Sequence, residues 1–254
     1  VASGPDRYER FTATEEYRAG RHRKARVISH LCSPYLTGTA VAADLGAGTG
    51  IIRRILEEEC GNPIVGLEID GEFIVERTRM VRGDVLRIPF ASECLDFAML
   101  NHLYEHVPEP GELFRETYRV LKPGGRAYVT AGSRMAVIEP HYRLPFLSWL
   151  PGGAAGAYLR ATRRGQSYDD IRFLTYRPLT RLMRAAGFIV HDVTEQAVDD
   201  LIRVTWGDGW ASAWGAARRI PDGVRASLMR ACSPQWFFFL ERPGRPSDGT
   251  EVTA

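Results

Sequence analysis

The 254-residue chain predicts an α/β fold built on a doubly wound, mostly parallel sheet. Three observations carry that prediction. Val41-Ala42-Ala43-Asp44-Leu45 reads as a short buried strand and runs into the turn Gly46-Ala47-Gly48-Thr49-Gly50. Helical apolar spacing resumes at Ile51-Ile52-Arg53-Arg54-Ile55-Leu56, so the unit is strand, glycine turn, helix. A second buried stretch, Pro63 to Asp70, closes on acidic residues, and further strand-like and helix-like segments alternate up to about residue 130. Glycine suits the turn because it tolerates positive φ and, lacking Cβ, lets a ligand lie against the backbone.

Composition narrows the function classes. Hydrophobic residues make up 44% and charged residues 25%, ordinary for a chain that buries a full core. A formal net charge of +2 gives no whole-protein argument for binding nucleic acid or a membrane surface. No apolar run is long enough to span a bilayer, and no signal-peptide pattern is visible. Cys32, Cys60, Cys94 and Cys232 are scattered without a Cys-x-x-Cys pair. Neither a disulfide framework nor a zinc site is expected, and a reducing cytoplasm is the default.

The chain in order begins with polar residues 1–10, then a predicted helix over Thr14–Leu31 with Thr14 as N-cap. That helix carries Arg18, Arg21, His22, Arg23, Lys24 and Arg26, a basic face whose simplest reading is exposure to solvent. After the opening unit, Glu68 stands 22 residues beyond Gly46, at the tip of the second strand. A carboxylate so placed can accept hydrogen bonds from both ribose hydroxyls of an adenosine. Asp70 is expected to cap a helix over Glu72–Arg79. A short strand precedes Gly83, where Asp84 can accept from the exocyclic amine of adenine and Val85 can cover the ring. Leu95–Leu100 is the fourth strand and leads into Asn101-His102-Leu103-Tyr104-Glu105-His106-Val107. An amphipathic helix over Glu112–Leu121 follows. Leu121-Lys122-Pro123-Gly124-Gly125 reads as a tight turn into a fifth strand, Ala127–Thr130.

The turn at 46–50 separates two cofactor chemistries. A dinucleotide fingerprint, G-x-G-x-x-G, would need a third glycine where Ile51 stands. Asp44, just before the turn, is poor company for a pyrophosphate and good company for an ammonium group. The glycine turn, Glu68, the Gly83-Asp84…Pro89-Phe90 pattern and the Leu-Lys-Pro-Gly-Gly segment together, in this order, resemble the class I S-adenosylmethionine (SAM)-dependent methyltransferases of the small-molecule kind. The resemblance covers residues about 40–132. It implies a Rossmann-like seven-stranded sheet with the last strand antiparallel, SAM as cofactor and S-adenosylhomocysteine as product. It also implies cofactor contacts from Asp44, Gly46, Ala47, Gly48, Gly50, Glu68, Ile69, Asp84, Val85 and Asn101, and an N-terminal helical lid over 1–34 bringing Tyr17 and Arg21.

Beyond that core, a helix over Arg177–Gly187, a strand over Phe188–Val193 and a last strand over Gln235–Glu241 are predicted. Two excursions, 133–176 and 197–233, are rich in aromatics and suit a substrate-side lid of helical insertions on a single domain, or a homodimer contact. Trp206, Trp210 and Trp214 recur at helical spacing and read as a buried stripe. Residues 242–254 read as a disordered tail. Methyl transfer from a sulfonium is an in-line displacement, in which orientation supplies most of the acceleration and a base is needed only for an acceptor that must lose a proton. His102, His106 and His141 are the candidate bases, His102 first, and no metal ligands are expected. The expected reaction is methylation of an oxygen or nitrogen on a medium-sized small molecule, with no nucleic acid or membrane partner. The alternative is a SAM-binding protein of this fold with other chemistry or a non-catalytic partner role.

Overall fold

The computed structural model describes residues 15–169, 171–202 and 214–245. The first helix, α1 (Glu15–Cys32), is followed by β1 (Ala42–Leu45), α2 (Ile51–Cys60), β2 (Ile64–Glu68) and β3 (Met80–Arg82). Then come β4 (Leu95–Asn101), a 3-10 turn at Tyr104–His106, α3 (Pro110–Val120) and β5 (Leu121–Gly132). The first excursion holds the hairpin β6 (Ile138–Glu139) and β7 (Leu144–Pro145), a 3-10 turn at Leu147–Trp149, and α4 (Gly152–Ala161). The chain closes with α5 (Tyr176–Ala185), β8 (Ile189–Asp192), α6 (Thr194–Leu201), α7 (Asp222–Cys232) and β9 (Gln235–Glu241).

Seven strands form one sheet in the order β3-β2-β1-β4-β5-β9-β8, with only β9 antiparallel to its neighbours. Strand order reverses between β1 and β4, and in open α/β sheets the crevice outside the carboxyl ends at that point is where ligands sit.

Both faces of the sheet are covered, which explains the unbroken apolar runs in its strands. Along Trp236-Phe237-Phe238-Phe239-Leu240, alternate residues go to opposite cores. Trp236, Phe238 and Leu240 join Leu113, Phe114, Leu179 and Met183 from α3 and α5. Phe237 and Phe239 join Ala25, Ile28, Leu31, Ile55, Leu56 and Tyr128 beneath α1 and α2. The fully buried Arg53 ties α2 to the sheet by donating to the carbonyls of Ile64 (3.0 Å) and Thr78 (2.6 Å) and pairing with Glu57 at 2.8 Å.

Three local expectations change. Residues 72–79 form no helix. The backbone N–H groups of Val75 and Glu76 donate to the Thr49 carbonyl, and Asp70 Oδ1 accepts from Glu72 N–H, so the segment is spent on folding against the glycine turn. The Leu-Lys-Pro-Gly-Gly segment lies within β5 rather than before it. Leu121 already pairs with Leu95, and an irregularity between Leu95 and Phe97 absorbs the extra residues. A Cβ on Gly125 would meet the Lys122 carbonyl at 2.8 Å, which explains the glycine. At the C-terminal end, Arg242 is held in place. Its guanidinium donates to the carbonyls of Tyr118 (2.9 Å) and Leu121 (2.7 Å) and to Glu93 (2.5 Å), and Arg245 also pairs with Glu93. The expected tail therefore cannot begin at residue 242. Thr14, Trp206, Trp210 and residues 246–254 lie outside the described residues.

Candidate active site

A cavity of about 840 Å³ opens at the carboxyl ends of β1, β2 and β4. Of the residues singled out from the sequence, Arg21, Gly46, Gly48, Glu68, Ile69, Asp84, Val85, Asn101, His102, His106 and His141 line it. Asp44, Ala47 and Gly50 do not, and the side chain of Tyr17 lies outside the described residues. Lys24 of α1 and Pro140 of the first excursion complete the wall beside Arg21 and His141.

Backbone donors fix the acids of the β1–β3 half. Glu68 Oε2 accepts from Gly48 N–H at 2.8 Å, while Oε1 accepts from Ile69 N–H (2.9 Å) and Asp70 N–H (3.2 Å). Gly48 has φ +54°, and a Cβ there would meet no protein atom within 4 Å, so its absence keeps the cavity floor open. Asp84 Oδ1 accepts from Leu86 N–H at 2.8 Å in a local turn. Asp44 sits below the floor, 4% exposed. Burial pushes its carboxyl up to about 7, Glu68 adds to the rise, and Arg53 and Lys24 oppose it.

The β4–β5 half is built from side chains acting on side chains. His102 takes φ +53°, a strained setting held by its N–H bond to the Thr130 carbonyl at 3.0 Å. Its Nδ1 lies 3.0 Å from Oε1 of Glu105, whose side chain is fully buried and whose Oε2 has no partner among the described residues. Burial pulls the imidazole below its usual value, aided by Lys24 and His141 and opposed by Glu105. Burial works to raise the Glu105 carboxyl, but the hydrogen bond and charge of His102 outweigh it and hold the group low. Near neutral pH this pair is a carboxylate and a neutral imidazole. Nδ1–H then donates to Glu105, and Nε2 keeps its lone pair as a proton acceptor.

A second histidine–carboxylate pair faces the first. His141 Nδ1 is 2.8 Å from Oε1 of the fully buried Glu139, whose Oε2 accepts from Tyr142 N–H at 2.6 Å. The His141 ring stands edge-on to His106 at 5.1 Å and near Phe173 at 5.8 Å. Among the described residues no three His, Cys, Asp or Glu side chains converge as a metal ion would require.

Glu105, Glu139 and Lys24 are functional candidates that the sequence reading left aside. Lys24 could have been found, because Gly20, Lys24, Val27, Ile28 and Leu31 recur at helical spacing and Val27, Ile28 and Leu31 are buried. Its ammonium lies within the field of Arg21, Glu105 and Asp44. Burial lowers it to about 7, with Arg21 adding to the fall and the two carboxylates opposing.

Residues 43–129 match the family model described as a methyltransferase domain. Across 71% of this chain and 82% of the relative, the sequence is 24% identical to a demethylmenaquinone methyltransferase of Lactiplantibacillus plantarum. It is 26% identical to a ubiquinone biosynthesis O-methyltransferase of Pseudomonas entomophila, over 54% of this chain and 69% of that one. A solved SAM-dependent methyltransferase of Thermotoga maritima, described as a possible histamine N-methyltransferase, superposes with a TM-score of 0.54 at 19% identity. That superposition spans 93% of this chain and 95% of the other and shows the shared fold. The seven-stranded sheet and the methyltransferase domain matched at 43–129 support a SAM-dependent methyltransferase of the class I kind, with SAM as its cofactor.

Proposed function

We propose that this enzyme methylates an oxygen, in preference to a nitrogen, on a medium-sized ring compound bearing a hydroxyl, with His102 taking the hydroxyl proton. The His102–Glu105 pair is the observation that carries this reading. A hydroxyl must lose a proton as it attacks carbon, and a neutral imidazole oriented by a buried carboxylate is built to receive it. The relative named as a ubiquinone biosynthesis O-methyltransferase supports an oxygen acceptor.

The residues present fit the cofactor. Gly48 leaves room where a side chain would stand, and the Glu68 carboxylate, with about four lone-pair sites, keeps capacity beyond its three backbone donors. Asp44, buried and near neutral titration, would gain from a cationic group placed nearby. In this assignment Glu68 would receive the ribose hydroxyls, Asp84 and Val85 the adenine, and Gly46, Gly48 and Asn101 the amino-acid portion. Ala47, Gly50 and Ile69 would shape the backbone around them, with Tyr17 and Arg21 on the lid. When bound, SAM supplies an electrophilic methyl group that needs no further activation.

The protein's own part is then to orient the acceptor, accept its proton at His102 Nε2 and exclude water. His141 and Pro140, on the first excursion, would close the acceptor side, and His106 supports His141 by edge contact. The organisation that follows is one domain with a lid at 1–34 and substrate-side excursions at 133–176 and 197–233. Incubation with SAM and a panel of phenols, naphthols and aryl amines, read by mass spectrometry, tests the reading. Methyl gain on phenolic oxygen with matching S-adenosylhomocysteine is expected. Methylation confined to the amines would overturn the acceptor class.

A further inference from the structure

The first excursion carries an imidazole–carboxylate pair that the proton transfer at His102 does not use. His141 lines the same cavity as His102, and its side chain is 31% exposed while that of Glu139 is fully buried. The hairpin explains the pairing. Glu139 pairs with Leu144 at the end of β6, and the turn 140–143 folds back until His141 Nδ1 lies 2.8 Å from Glu139 Oε1. Tyr142 N–H donates to Oε2 at 2.6 Å, so both oxygens of the carboxylate are committed.

A carboxylate only accepts, so the proton between the two groups sits on His141 Nδ1. Nε2 makes no hydrogen bond to any described residue, and in the neutral ring it is an acceptor. His106, edge-on at 5.1 Å, and Phe173, at 5.8 Å, steady the ring. Phe173 also ties this pair to the first one. A Cβ on Gly132 would strike the Phe173 ring and stand 3.2 Å from Glu105 Oε1, so the two pairs close on one glycine. Their nearness shows in the titration of His102, which His141 helps to depress. Burying a carboxylate carries a desolvation cost that packing alone does not require. What it secures here is one fixed tautomer at the cavity wall.

We propose that His141 Nε2 receives the hydrogen bond of a second, non-reacting hydroxyl, so that the preferred acceptor is a dihydroxylated ring. The proposal rests on the acceptor reading above and adds the second oxygen. His102 takes the proton of the reacting hydroxyl, and His141 holds the other hydroxyl without removing its proton. A methyl ether in that place has no hydrogen to give and is refused. A ring methylated once therefore cannot return with its ether oxygen at His141, and transfer stops after one methyl group.

The test measures binding of phenol, catechol, resorcinol, hydroquinone and the monomethyl ethers of the three diols. It uses the full chain saturated with S-adenosylhomocysteine, as wild type, Glu139→Gln and the double variant His141→Phe with Glu139→Gln. The double variant keeps a ring against His106 and Phe173 and leaves no buried charge unpaired. Wild type should bind at least one diol about tenfold more tightly than phenol and than that diol's monomethyl ether, the worth of one hydrogen bond made in a buried site. In Glu139→Gln the amide can donate to Nδ1 and turn Nε2 into an N–H donor, so the preference over the ether should vanish. The double variant should bind phenol, diol and ether alike, with S-adenosylhomocysteine affinity as in wild type. Equal binding of all probes by wild type, a diol preference kept in the double variant, or ether discrimination untouched in Glu139→Gln would overturn the second-hydroxyl contact. Wild type that takes S-adenosylhomocysteine but none of these rings would overturn the acceptor reading, and the contact with it.

Discussion

The two halves of the cleft hold their charges by different means. On the β1–β3 side, Glu68 and Asp84 are fixed by backbone N–H groups within a few residues of the strand ends. On the β4–β5 side, His102 and His141 are fixed by the fully buried carboxylates of Glu105 and Glu139. Backbone anchoring suits a half that recognises one invariant ligand, because strand geometry alone sets the acid's position. Side-chain anchoring suits a half that moves a proton, because the partner carboxylate also tunes the imidazole. If the proposed roles hold, binding and proton handling sit on different halves, and substitutions should separate them.

The largest effect is expected at His102. His102→Ala should lower turnover by roughly 10²- to 10⁴-fold, the range of a positioned base, while SAM affinity stays near wild type. Single-turnover rates with a phenolic acceptor would check this, and a variant with full turnover would remove His102 from the mechanism.

A smaller and more diagnostic change is expected from Glu105→Gln. His102 titrates below its ordinary value, so the working neutral form is present at neutral pH and is lost as pH falls through that lowered value. Glu105 is the group that raises it, so removing the charge should move the acid limb of the pH–rate profile to still lower pH. Turnover at pH 8 should fall about tenfold, because the tautomer is no longer fixed. An acid limb that stays in place would show that Glu105 only packs.

A third effect concerns stability rather than turnover. Asp44 holds its proton more tightly folded than unfolded, so its contribution to stability falls as pH rises from the ordinary carboxylate value of 3.8 through about 7. Asp44→Asn should therefore gain on wild type across that window and level off above it. The gain is at most about 4 kcal/mol, the free energy between those two titration points. Urea denaturation at pH 5 and pH 8 reads it directly, and a variant equally destabilised at both would contradict the burial argument.

The β1–β3 half of the cleft was legible in the sequence because its signals are local. A glycine turn between strand and helix, and an acid at the next strand tip, place Gly46, Gly48 and Glu68 on one rim once the sheet winds. The β4–β5 half was legible only in part. His102, His106 and His141 were visible as residues, but their partners Glu105 and Glu139 depend on a positive-φ turn and on the β6–β7 hairpin, which no periodicity announces. Lys24 was hidden for another reason. Its helix carries basic residues at 18, 21, 23, 24 and 26, and the buried stripe through Val27, Ile28 and Leu31 shows which face turns inward. The Glu72–Arg79 helix failed because propensity ignored the Thr49 carbonyl, which takes two of that segment's backbone donors.

The division of the cleft is tested most directly by calorimetric titration of SAM into wild type, Glu68→Ala and His102→Ala. Wild type and His102→Ala should bind alike, and Glu68→Ala should bind roughly 10- to 100-fold more weakly, the loss of charged hydrogen bonds to a ligand. Equal affinity in all three, or loss of binding in His102→Ala alone, would contradict it.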